Sequence, residues 1–167
     1  MIDYYLYEEI KHYANRHYES SKDFYLKRNQ NSQKIFQDIL RGKIAEYCAY
    51  FHLIEKGYVL DKPDLTLSAK KSYDADLVIK GSNTKILEEY WHIHVKSVTR
   101  ASYLRYGASF LVEANDPLVF DPKPLHAFLV MIEDSFLVYK KYAWLKCTNA
   151  VYQEPRMNLP TKKAIYL

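Results

Sequence analysis

Two short runs of alternating side chains carry the residues that could do chemistry. Between Asp74 and Ile79, an extended chain puts Asp74, Asp76 and Val78 on one side and Ala75, Leu77 and Ile79 on the other. Between Trp91 and Ser97, the residues Trp91, Ile93 and Val95 make an apolar side, while His92, His94 and Lys96 project together from the opposite one. If the runs pair, carboxylates, imidazoles and an ammonium converge over one patch of sheet. Carboxylate oxygens are the ligands a hard, octahedral cation such as Mg2+ takes. A cation held there acidifies water and offsets charge on a reacting phosphate, and a neighbouring lysine adds to that offset. The chemistry this set suits is metal-dependent phosphodiester hydrolysis.

A further acid comes from the longest helical pattern in the chain. Phe36, Leu40, Ile44, Tyr47, Phe51 and Ile54 recur every three or four residues, which predicts a helix from Ser32 to Lys56. Asn31 or Ser32 can cap its start, and Gly57 supplies the left-handed residue that commonly ends a helix. Glu46 lies beside the apolar stripe, with Gly42 one turn before it and Ala49 one turn after, so a close approach to a sheet is expected at that level. An amphipathic helix is also predicted over residues 3–18 from Leu6, Ile10, Tyr13 and His17, followed by a polar, basic connection. After the turn at Lys62-Pro63-Asp64 the pattern becomes strand-like. The two runs above are followed by a turn of helix between Thr99 and Gly107, a strand at 109–113, a proline-bearing loop, a doubly buried strand at 126–132 and a strand over 135–142. The tail from Thr148 is expected to be irregular.

The order helix-Glu46, strand-Asp76, then HVKS with Lys96 and Ser97 resembles the PD-(D/E)xK nuclease superfamily across roughly residues 35–132. There RGKIAEYCAYFHLIEKGY is similar to the acid-bearing helix and DADLVIK to the first catalytic strand. The resemblance implies an α/β domain of the restriction-endonuclease-like kind, a central mixed β-sheet flanked by helices, with its core roughly at 32–146 of a single 1–167 domain. It implies a divalent-metal-dependent endonuclease that uses Mg2+ or Mn2+ and acts on DNA in preference to RNA, and it makes a homodimer an expectation where both strands are cut. Asp76, with Glu46 and either His94 or Asp74, would hold the metal, and Lys96 would position the nucleophile. The chain departs from the motif at one place: His94 stands where an acid is usual. Imidazole brings no negative charge and favours manganese over magnesium, so either Asp74 replaces the carboxylate or His94 serves as base for the water. The same departure opens an alternative, a catalytically inactive nuclease-fold module that binds nucleic acid or a protein partner. Pro63-Asp64 matches the superfamily's name but sits at a turn where Pro-Asp is common for local reasons, so Asp76 is preferred. His92 is assigned no chemical role.

Composition bounds the rest. At 167 residues the chain can bury one core without disulfides. Only 4 glycines exclude phosphate-cradling glycine loops, and 2 cysteines without CxxC spacing exclude a disulfide framework and fit a reducing cytoplasm. No long apolar run predicts a membrane span. The formal charge of +4 suits a polyanionic partner. Lys27, Arg28, Lys34, Arg41 and Lys43 near the long helix, with Arg100 and Arg105 beyond the lysine-bearing strand, are the expected phosphate contacts. An apolar-flanked lysine in an interior strand is costly without a partner, so Lys96 is expected to be a buried ammonium with a role. The 17 tyrosines follow no base-stacking motif and read as packing.

Overall fold

The predicted stripe on the long helix becomes the floor of the core. In the computed structural model, which describes residues 2–26, 31–67, 75–120, 125–132, 139–147 and 151–166, helix α2 spans Ser32–Glu55. Leu40, Ile44 and Tyr47 are no more than 2% exposed, whereas Ile54, at the end of the stripe, emerges to 41%. Asn31 caps the helix by accepting the Lys34 N–H at 3.0 Å. Gly57 follows with φ 85°, and its carbonyl accepts the Asn83 N–H at 2.8 Å, which ties the helix end to a hairpin turn. The expected close approach at Gly42 is not made there, since a Cβ on that residue would meet nothing within 4 Å. Ala49, the other small residue expected at that level, is fully buried in the core, as is Ala45. Helix α1 runs Tyr4–Leu26, a further two turns beyond the expected end, and buries Ile10 and Ala14 in the same core. Lys27 and Arg28 lie outside the described residues.

Strands β1 (Tyr58–Leu60), β2 (Leu77–Ser82), β3 (Lys85–Thr99), β5 (Leu125–Ile132) and β6 (Tyr139–Cys147) form a sheet in the order β1-β2-β3-β5-β6. It is a mixed sheet, because β3 and β5 are parallel while the other neighbours are antiparallel. The alternation read from sequence decides which face is buried. Leu77, Ile79, Ile93 and Val95 pack with Phe128, Val130 and Ile132 against α2. Each such aliphatic side chain contributes about 1.5–3 kcal/mol on burial. Strand β5 is buried on both faces as its unbroken apolar run predicts, with Ala127, Phe128, Leu129 and Val130 all inside. β6 overlaps the expected strand only from Tyr139 on, the segment 133–138 lying outside the described residues.

The far face of the sheet carries a second layer. β4 (Ser109–Glu113) pairs antiparallel with β7 (Lys162–Tyr166), and Phe110, Val112, Ala127 and Ile165 make a smaller cluster between this ribbon and the sheet. The tail is therefore not irregular throughout. Its last strand is paid for by a partner some fifty residues away, with Glu113 opposite Lys162 and the two side chains joined in an ion pair. α3 (Arg100–Tyr106) occupies the predicted helical turn, capped by Thr99, and α4 (Pro117–Phe120) replaces part of the expected proline loop. The architecture is mixed α/β, a mixed central sheet flanked by helices. No helix among the described residues is long and apolar enough to cross a membrane.

Candidate functional site

Pairing of β2 with β3 ends at Leu77 opposite Ile93. Asp76 lies one residue beyond that end, and its carboxylate Oδ2 accepts the Val95 N–H at 2.7 Å. A charged acceptor on a backbone donor makes a stronger bond than a neutral one, so Asp76 is held beside the HVKS segment. Leu77 opposite Ile93 is the last pair in register, and the Asp76 side chain reaches β3 beyond it. Asp74 lies outside the described residues.

Glu46 enters from α2. Its side chain is only 15% exposed and its Oε2 takes the Lys43 ammonium at 2.6 Å. Burial pushes the Glu46 carboxyl up to about 7; the Asp76 charge pushes it the same way, and Lys43 and Lys96 oppose the rise. Asp76 is thus near enough to Glu46 for its charge to be felt through the protein, and Lys96 is near enough to act on both acid and imidazole. Burial lowers the His94 imidazole below its ordinary value, Asp76 opposes this and Lys96 reinforces it. Asp76 therefore acts electrostatically on both Glu46 and His94.

Lys96 departs from expectation. It is exposed, with its ammonium 5.8 Å above the Phe110 ring, so it is no buried cation. Among the described residues, pairing of β2 with β3 stops at Ile93, three residues short of Lys96, while β5 runs alongside β3 through Thr99. From there the long side chain can reach a phosphate. His92 is exposed.

The basic residues divide. Lys43 is turned inward, 12% exposed, bonded to Glu46 and 5.0 Å over the Tyr13 ring, so it belongs to the acid rather than to a solvated phosphate-binding face. Lys34 is exposed and lies 3.5 Å from Asp38, with Arg41 3.8 Å from the same carboxylate. Arg100 and Arg105 are exposed on α3. Asp64 is engaged locally, accepting from Thr66 N at 2.8 Å and Thr66 Oγ1 at 2.6 Å, the side-chain turn that Pro-Asp segments favour.

Among the described residues, no group of three or more His, Cys, Asp or Glu is arranged to hold a metal ion. Magnesium, however, is commonly bound by one or two carboxylates with water completing its shell. A buried carboxylate whose charge is disfavoured by a second carboxylate is the donor chemistry a divalent cation relieves. Asp76 and Glu46 are the two carboxylates among these residues that could hold such an ion.

Sequence reasoning missed a cleft of about 210 Å3 that opens beside Lys96, between α2, the end of β3, α3 and β4. Ser97, directly after the motif lysine, was the available signal; Tyr106 and Met157, which also line it, reach it only through tertiary packing. No protein-family model, no curated protein and no solved structure matches this chain.

Proposed function

We propose that the chain is a divalent-metal-dependent endonuclease with a restriction-endonuclease-like core, acting on DNA. The observation that carries the reading is the electrostatic convergence on Asp76: a helix carboxylate buried and raised to about 7, an imidazole held below its ordinary value, and a strand lysine acting on both. The order of the contributing elements, helix then two paired strands, is the order in which the superfamily presents its acids and lysine.

Asp76 and Glu46 would hold the ion, with His94 beside them. The bound cation supplies charge neutralisation at the phosphate and a more acidic water. His94, kept neutral by burial, presents a basic nitrogen able to accept a proton from water. Lys96 offers a mobile ammonium to the phosphate oxygens as negative charge grows on them. Lys43 holds Glu46 in place and lowers the cost of its charge. Lys34, Arg41, Arg100 and Arg105 would contact flanking phosphates without reading sequence.

Plasmid cleavage tests this reading. Asp76→Ala and Lys96→Ala should each abolish nicking, and Mn2+ should support more activity than Mg2+ because of His94. Full cleavage by either variant removes the mechanism. A second reading, a module that keeps the fold and binds nucleic acid without cutting it, is favoured by the uncharged imidazole at position 94. It predicts DNA binding in EDTA and no cleavage with either ion.

A further inference from the structure

The cleft beside Lys96 mixes two chemistries. Its lining residues are of two kinds: Lys96 and Arg41 are cationic, while Tyr106, Leu111 and Met157 are apolar or aromatic. Asp38 also lines it, but its carboxylate lies between two cations, Lys34 at 3.5 Å and Arg41 at 3.8 Å, so the local balance stays positive. At the rim, Thr99 Oγ1 donates to Ser102 Oγ at 3.1 Å, which leaves the Ser102 hydroxyl proton for an incoming oxygen. The volume of about 210 Å3 falls below the ~300–1,000 Å3 of ordinary small-molecule sites, so an extended cofactor does not fit and a single nucleotide would be only partly enclosed.

We propose that this cleft takes one unstacked nucleotide of the substrate strand, its phosphate between Arg41 and Lys96 and its base against Tyr106 and Met157. The inference rests on the endonuclease reading for the source of the nucleotide and deepens it: the substrate is DNA with a displaced or single-stranded base next to the cut. An aromatic platform accepts any base, because every base has a π-face. A base already unpaired enters without the cost of extrusion from a duplex, so the cleft selects for frayed, mismatched or single-stranded sites.

Calorimetric titration of the full chain in EDTA with thymidine 5′-monophosphate, thymidine and inorganic phosphate tests the site without any metal. The nucleotide should bind about 10-fold or more tighter than either fragment, since it engages both the cationic and the aromatic lining. Tyr106→Ala should weaken it about 10-fold, a loss within the range of base–aromatic stacking, while Tyr106→Trp should retain it within about 2-fold. Arg41→Gln should weaken the nucleotide and leave thymidine unchanged. Phosphate binding as tightly as the nucleotide, Tyr106→Ala at full affinity, or Tyr106→Trp failing as alanine does would each overturn the proposal. Cleavage of plasmid with no nucleotide binding sinks the cleft assignment alone. Nucleotide binding with no cleavage sinks the endonuclease reading and leaves the cleft as a nucleotide site.

Discussion

Glu46→Gln should flatten the dependence of stability on pH between about 4.5 and 7. Burial raises the Glu46 carboxyl from 4.5 to about 7, so between those values the folded chain holds a proton that the unfolded chain has released. Its contribution to stability is fully present below 4.5 and is lost as pH rises through about 7. At 1.36 kcal/mol per pH unit, the rise from 4.5 to about 7 amounts to about 3 kcal/mol. Glutamine is close in shape to the protonated acid, so at low pH the two proteins present nearly the same group to the core and to Lys43. Above neutrality wild type carries a buried charge and the variant does not. In urea unfolding, with a slope of about 2 kcal/mol/M, the variant should gain about 1.5 M in midpoint over wild type between about pH 4.5 and pH 8. His17, His52 and His94, all lowered by burial, titrate in both proteins and cancel in the difference. Midpoints that run parallel across this range would refute the placement of Glu46 in a desolvated, acid-facing site.

Lys43→Met removes both the charge and the hydrogen bond that lower Glu46, so the carboxyl should titrate above its wild-type midpoint, read by carbon NMR of the side-chain carboxyl. Gly42→Ala should stabilise the chain by about 0.5–1 kcal/mol, seen as a higher urea midpoint, because the added methyl meets open space and the helix loses a flexible interior glycine. Gly57→Ala should destabilise by about 1 kcal/mol or more in the same assay, since φ 85° disfavours any Cβ and the new atom would meet Asn83 Nδ2 at 3.0 Å.

Lys43 and Lys96 show where local pattern stops being informative. The sequence reads Lys43 as a phosphate contact on a basic helix and Lys96 as a buried ammonium in an interior strand, whereas Lys43 is turned in on Glu46 and Lys96 is exposed. Lys43 turned inward because Glu46 lies three residues on, on the buried side of α2, and an acid there needs a counter-charge. Lys96 is exposed while its neighbour Val95 is buried, so alternation set its side of the strand, and whether that side is covered depends on what packs there. Gly42 misled in another way: small size at helical spacing is compatible with a close contact but does not specify one, and of the expected pair only Ala49 is buried in the core.

The periodicities settled on their own the parts of the chain that depend only on which face is greasy. Those parts are the extent and caps of α2, the buried sides of β2 and β3, and the double burial of β5, because side-chain direction repeats every 3.6 or 2 residues and burial follows it. Long-range pairing settled the rest. Which strand ends first, that residues 162–166 find a partner at 109–113, and that residues 41, 96, 106 and 157 share one cleft all follow from contacts between segments far apart in the chain, whose register no local pattern encodes.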